Sequence, residues 1–525
     1  MSDRGEIESN EKDQHHTEVG SVQSDEQKDE LVQKIEAETH HKVLGLNYYA
    51  ESQKIPQEEI DELFPKIRRK IDFRLLSLLF ITYMLQFLDK LSLNYANAYS
   101  FSADLGLDVG QRYSWVASIF NFGYLAGAIP ANYIVQRVPL AKFAACSLFV
   151  WSVLLVAHVG AKNYGGILIL RFLLGLLEAQ VSPICMNMVK LFYKRSDQQF
   201  REFCFLSANG ISTMVGSLLG FGLGHANSGA LKPWQLIFLV IGLMNFAWCF
   251  IFLYFGPDSP AEAKFLTERE KAIVISVIST NSQGLQDKHY KMNQVKECLI
   301  DPAVWILVLI GLGAGIINGG VSNFASSLIK GFGFTGLDAT ILQLPTGAIE
   351  FVVILGFGIL SLFVKNTNFI ALFFGCALPL AGLIGIKLIP NSEKWALVGC
   401  TWLQYIVGLP VISCWTYLVA NVAGSTKKTM ANGMWFLFYA AGNIIGANIF
   451  FAREAPKYQS AMTALIICYC VMIGLDACYF VLVYTRNKKR NQLQGGHTDD
   501  VQQQAILDGY KDQTDFENKG FRYNY

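Results

Sequence analysis

Long apolar runs alternate with short polar gaps from about residue 75 to residue 485. Each run has roughly twenty residues or more, enough to cross about 30 Å of hydrocarbon as a helix. The pattern predicts twelve spans, at 75–98, 113–134, 140–160, 163–185, 203–225, 233–255, 303–326, 339–363, 368–389, 395–421, 430–451 and 461–485. The longest interior polar segment separates six spans from six. It contains PDSPAEAKFLTEREKAIVISVI, which predicts an amphipathic helix with Thr267 as N-cap and Glu270 three residues on, a reciprocal cap. The domain reading is an N-terminal tail at 1–70, a six-helix bundle at 71–256, a linker at 257–301, a second six-helix bundle at 302–486 and a C-terminal tail at 487–525. The first tail reads as mostly disordered, since stretches such as SVQSDEQKDE lack large apolar groups. Its end, IPQEEIDELFPKIRRKID, predicts a short helix ahead of the first span. The second tail reads as short and featureless.

Composition agrees with the membrane reading. The chain is 52% hydrophobic and only 16% charged, against roughly a quarter charged in soluble domains. A net charge of +1 gives no nucleic-acid signal. Basic residues crowd the start of the first span (Lys66, Arg68, Arg69, Lys70, Arg74) and follow the last (Arg486, Lys488, Lys489, Arg490), which predicts that both ends are cytoplasmic. The eleven cysteines fall mostly inside spans and read as small apolar residues, not as a disulfide framework. No phosphate-binding Gly-x-x-x-x-Gly-Lys-[Ser/Thr] loop is present, which disfavours a primary pump. Only His158 and His225 lie near spans, which disfavours an intramembrane metalloenzyme.

The candidate chemistry is four charges inside spans. Asp89 and Lys90 lie in the first, Arg171 and Glu178 in the fourth. A charge at the bilayer centre costs about 2.5–3.5 kcal/mol on insertion scales. Counting 1.5 Å per residue puts Asp89, Lys90 and Arg171 near one depth, so Asp89 and Arg171 pair if the two spans are neighbours. Arg171 and Glu178 are a heptad apart and share a helix face, whereas Asp89 and Lys90 point about 100° apart and serve different partners. Two readings follow. One is a proton-coupled anion site, with acids taking up protons and a cation holding a carboxylate. The other is a static ion-pair network that fixes one bundle. Asn318 in the seventh span, Glu350 in the eighth and Gln404 in the tenth are further candidates for the cavity. Asp476 in the twelfth reads as a bundle-edge residue. Aromatic side chains such as Tyr83 and Trp115 read as interface fillers.

Several segments carry a family resemblance: FLDKLSLNYA in the first span, RFLLGLLEA in the fourth, DPAVW entering the seventh, NVAGSTKKTMANGMWFLFYAAGNIIGANIFFAREAPKY around the eleventh, and the tail DQTDFENKGFRYNY. Over residues 60–525 the chain resembles the fungal allantoate permease family, in the anion:cation symporter branch of the major facilitator superfamily. The resemblance implies an all-α membrane protein of twelve helices in two pseudo-two-fold six-helix bundles. It implies a plasma-membrane carrier, not an enzyme, which takes up a small organic anion with protons. Family substrates include allantoate, nicotinate, pantothenate, biotin, cysteine and sulfonates. Carried over, Asp89 and Glu178 are proton-coupling sites and Lys90 is the anion-binding site, with Arg171 the partner of an acid. Substrate-binding candidates are then Lys90, Arg171, Asn318, Glu350 and Gln404. No cofactor is implied beyond the coupling proton. The expected partners are the anion, protons and the lipid bilayer, with no nucleic acid, for a monomer. A non-transporting nutrient sensor and a passive uniporter on the same fold are the alternatives. One departure stands out. The loop between spans two and three, ANYIVQRVPLAKF, lacks the Gly-x-x-x-Asp-Arg pattern of many major facilitators, which puts a gating role for it in doubt.

Overall fold

The computed structural model describes residues 55–135, 138–226, 229–279, 291–364, 367–455, 458–494 and 513–524. The disorder expected of residues 1–54 lies outside these, as does Arg137 of the second loop. Twelve helices carry the apolar runs. The first six are α1 (Ser77–Asn97), α2 (Arg112–Val135), α3 (Leu140–Ala157), α4 (Tyr164–Glu178), α5 (Ala208–Gly224) and α6 (Pro233–Phe255). The second six are α7 (Pro302–Gly331), α8 (Leu344–Phe363), α9 (Thr367–Leu388), α10 (Gly408–Asn421), α11 (Ser425–Asn448) and α12 (Gln459–Gln494). Among the described residues, ten helical segments are long and apolar enough to cross a membrane. The other two are α2 and α11. They pack against each other where the bundles meet, so part of their surface faces protein and their polar and small residues are tolerated there.

The bundles touch chiefly along α1 with α7, α2 with α11 and α5 with α8, and the helix Arg195–Leu206 also packs against α8. The α5–α8 crossing is the tightest in one respect: Gly210 and Gly347 lie backbone to backbone, and a Cβ on either would strike the other's chain. Small residues at such crossings allow helices to approach without a side-chain spacer.

Several expectations change in detail. The short helix before the first span is Gln57–Ile71, and it runs through a single π turn at Asp72–Leu76 directly into α1. Residues 57–70 of the expected tail are therefore ordered. The fourth span stops at Glu178 and resumes as Val181–Phe192. The tenth was read as one helix; it is Lys394–Trp402, a 3₁₀ turn at Gln404–Val407, then α10. All eleven cysteines are free, as expected, although Cys146, Cys470 and Cys478 are exposed on the outer surface of the helices. Asp476 is not an edge residue: it is buried, and among the described residues neither carboxylate oxygen has a hydrogen-bond partner. The C-terminal tail is not featureless. Helix α12 continues to Gln494, and residues 513–524 fold back onto the second bundle.

One face of the molecule carries the Gln57–Ile71 helix, the linker and the folded tail; we refer to it as the linker face. There Arg201 makes paired hydrogen bonds to Asp72 at 3.0 and 2.9 Å, and Arg68 reaches Asp197 at 3.0 Å. The linker helix Glu268–Ser279 has the expected cap, with Thr267 N donating to Glu270 Oε2 at 2.8 Å and Glu270 N donating to Thr267 Oγ1 at 3.3 Å. Lys70 also reaches Glu270, at 2.7 Å. Partial burial of Glu270 works against ionisation, but the bonds from Lys70 and Thr267 outweigh it and hold the carboxyl below the usual range. On the opposite, far face, Asp104 is treated the same way: burial opposes its charge, and hydrogen bonds from Lys232, Ser100 and Trp234 win, so its pKa is lowered.

Candidate functional site

The four charged residues predicted to converge do so. Helix packing decides how. Asp89 on α1 has no exposed surface, and its Oδ2 accepts from the indole N–H of Trp151 on α3 at 2.6 Å. The cation it faces is Arg171 of α4. Among the described residues, no nitrogen–oxygen contact within 4.0 Å joins the two. Instead Arg171 Nη2 donates to Ser92 Oγ at 3.3 Å, one turn beyond Asp89, and its guanidinium lies 5.3 Å from the Phe238 ring centroid.

Glu178, one heptad below Arg171, is 3% exposed and has Asp89, Lys90 and Arg171 as its charged neighbours, with Gln86 beside it. Lys90 faces away from Asp89, as the 100° step requires. It crosses to the other bundle, where Nζ donates to Asn318 Oδ1 on α7 at 2.5 Å. Of the four, Lys90 alone is not fully buried. The arrangement is thus a closed acid–base set in the first bundle with one cation at the seam between bundles. The charges sum to zero, which is what a low-dielectric interior tolerates. Hydrogen-bonding capacity is left over on Asp89 Oδ1, Glu178 Oε2, Gln86 Oε1 and Arg171 Nε. A fully satisfied structural network leaves no such surplus.

The other candidates sit in the second bundle. Glu350 on α8 is 2% exposed and close to Tyr95, Tyr405 and Tyr439. Among the described residues no basic side chain pairs with it, and its Oε2 has no partner. Gln404 is not among the neighbours of the charged four. Its amide donates to the Pro379 carbonyl at 3.0 Å, and it lines a separate cavity of about 30 Å³ with Gln343, Tyr405 and Phe324. The sequence does not mark Trp151, Ser92 or Tyr124, which neighbours Glu178 and shares Ser182 with Tyr83. A lone Trp or Tyr in an apolar run carries no mark that separates a carboxylate donor from a packing residue.

Above this site, toward the far face, hydrogen bonds tie the bundles together. Asn94 bonds Gln343 at 2.8 Å and accepts from Ser326 N at 2.9 Å. Asn97 bonds Ser327 at 2.9 Å, Tyr113 donates to the Asn323 carbonyl at 2.8 Å, and Asn448 donates to Ser118 at 2.7 Å. The bundles are therefore closed against each other on the far side of Lys90.

Comparison with known proteins places this geometry. Residues 79–447 match the model of the Major Facilitator Superfamily. The allantoate permease of Saccharomyces cerevisiae is 33% identical over 474 residues, covering 87% of this chain and 86% of the permease. A thiamine pathway transporter of the same yeast is 30% identical over 472 residues, covering 88% of this chain and 87% of its own. An uncharacterized transporter of Schizosaccharomyces pombe is 33% identical over 457 residues, at 87% and 86% coverage. Among solved structures, a bacterial homolog of the human lysosomal transporter Spinster, inward-facing and unoccupied, superposes with a TM-score of 0.55 at 15% identity, over 77% of this chain and 95% of that one.

Proposed function

Since the chain belongs to the major facilitator superfamily, among the fungal allantoate-permease-like transporters, we propose that it takes up a small organic anion across the plasma membrane in symport with protons. That it is a multi-pass transporter of a small molecule follows from the family. Proton coupling, the anionic substrate and cytoplasmic chain ends are our reading, and one observation carries it. A neutral set of four buried charges presents a single cation, Lys90, at the seam between bundles, with an acid as its neighbour.

The chemistry follows from charge balance. A carboxylate or related anion that reaches Lys90 displaces Asn318 and adds one negative charge to a neutral, water-poor set. Uncompensated, that charge is costly in a membrane interior. A proton taken by Glu178 restores neutrality, so substrate and proton enter together. Asp89, anchored by Trp151, is the second proton-coupling acid, and Arg171 stays within reach of whichever acid is ionised. Lys has no bidentate fork and binds as a point charge, so Lys90 accepts anions of varied geometry. Asn318 and Glu350 supply neutral or acidic contacts from the second bundle, whereas Gln404, in its separate cavity, takes no part at Lys90. Release of the far-face bonds around Asn94, Asn97 and Tyr113 opens the alternate side.

The test is uptake of a radiolabelled panel of organic anions by cells that lack their own permeases. Uptake of one of them rises as external pH falls and collapses with a protonophore. Uptake insensitive to both pH and protonophore means a uniporter. Binding without uptake means a sensor.

A further inference from the structure

At the linker face of the second bundle, Lys427 opens α11 with no exposed side-chain surface. Three carboxylates surround it: Asp515 at 2.7 Å, Glu297 at 2.8 Å and Asp301 at 3.0 Å. They come from three parts of the chain, namely the folded tail, the linker helix Met292–Ile300 and the residue that caps α7. Arg486 of α12 shares Asp301 at 2.8 Å. Phe516 of the tail lies under both cations, 4.0 Å from Lys427 Nζ and 5.0 Å from the Arg486 guanidinium carbon.

The tail is held along its length. Thr514 donates to Glu297 at 2.8 Å. Tyr523 donates its hydroxyl to Asp515 at 2.8 Å, and its backbone exchanges bonds with the Asn487 amide at 2.8 and 3.0 Å. Asn524 does the same with Asn421, at the end of α10, at 2.8 and 2.7 Å. Arg490 donates to the carbonyls of Phe521 and Asp515. Thr514, Asp515, Asn518 and Tyr523 are buried. The tail makes two turns, closed by Asn518 N on the Thr514 carbonyl and Phe521 N on the Asn518 carbonyl, and the side-chain bonds to its backbone fix its register. Asp515 adds a third carboxylate to the two that Glu297 and Asp301 bring to Lys427.

We propose that the linker face of the second bundle is a peptide-binding site, and that residues 513–524 are its tethered ligand. The peptide recognised is acidic at its start and aromatic at its end. Its docking fastens the ends of α7, α10, α11 and α12 and the second linker helix into one body. Without it, Lys427 and Arg486 lose their shared aromatic cover and one carboxylate. The inference does not depend on substrate or coupling ion.

The test uses purified protein truncated after residue 512 and a synthetic peptide of residues 513–525. The truncated protein binds the peptide saturably and melts at lower temperature than the full chain, and the peptide restores the melting temperature. A peptide with Asp515→Asn binds at least about tenfold more weakly, since it loses a charge-assisted bond to a buried cation. If the truncated protein does not fold, a protease site is inserted after residue 500 of the full chain and cut after folding. The released segment then stays bound and exchanges with labelled peptide. An unchanged melting temperature on truncation, equal binding of the two peptides, or immediate loss of the cut segment overturns the proposal.

Discussion

The two bundles solve different problems with matching parts. Along the chain, Asn318 stands as far beyond Asp301 as Asp89 stands beyond Asp72. Where α1 carries a buried acid, α7 carries a neutral amide. The interior of the first bundle holds Asp89, Arg171 and Glu178; the second holds Asn318 and Glu350, with which no basic side chain among the described residues pairs. At the linker face the matching parts reappear. Arg201 pairs with Asp72 in the first bundle, as Lys427 pairs with Asp301 in the second. Each cation has an aromatic cover, Tyr193 at 4.9 Å from Arg201 and Phe516 at 4.0 Å from Lys427. The first cover comes from the segment just before the cation's own helix; the second comes from the tail. Away from the linker face, paired charges are thus concentrated in the first half, while the second offers hydrogen bonds and shape.

The largest effect expected from breaking this asymmetry is at Glu178. Glu178→Gln abolishes accumulation against a gradient while substrate exchange across the membrane survives, because exchange needs the anion site and not the proton. Next comes Lys90→Ala. Losing a charge-assisted bond to substrate weakens anion binding by roughly 10–100-fold, measured as the half-saturating concentration for exchange. Asn318→Asp sharpens the comparison by giving α7 an acid facing Lys90. It ties the two bundles by an ion pair and raises the half-saturating concentration several-fold, on the order of the cost of a modest charged pair.

Smaller effects fall at the linker face. Asp72→Asn removes the charged partner of Arg201, whose side chain is 7% exposed, leaving it the Asp197 carbonyl at 3.1 Å and that carboxylate at 4.0 Å, and costs about 1–3 kcal/mol of stability. Arg269→Ala removes an exposed pair with Glu59 and costs less than about 1 kcal/mol. Thermal melts of the purified variants give that order. The smallest effect is that of pH on the linker. Glu270 has its pKa lowered in the fold, so its contribution is complete above its ordinary value of 4.5 and disappears as pH falls through the lower folded value. The acid-side fall in melting temperature is smaller in Glu270→Gln than in the parent chain.

Much of the architecture was legible because hydrophobic runs obey one physical length. The sixth span was read to the residue, at 233–255, and the linker cap at Thr267 and Glu270 formed as spaced. The heptad between Arg171 and Glu178 and the angular step from Asp89 to Lys90 gave the directions of the four charges. What a single sequence conceals is pairing at long range. Nothing local tells that Trp151 bonds Asp89 from 62 positions away, or that Asp515 closes on Lys427 from 88. The tail looked featureless because its contacts are specific and polar, without the apolar periodicity that announces a helix. Lys427, one of two adjacent lysines with no local mark to tell them apart, has no exposed side-chain surface. The break of the tenth span at Gln404–Val407 is not legible in the sequence, because a 3₁₀ turn leaves no signature in hydropathy.

The central claim is that an acid in the first bundle ties anion movement to proton movement. The most direct measurement is anion accumulation in proteoliposomes under an inward proton gradient, with exchange recorded in the same preparation, for the parent chain and Glu178→Gln. The account predicts gradient-driven accumulation in the parent, none in Glu178→Gln, and exchange in both. Accumulation of equal size in the two proteins contradicts it.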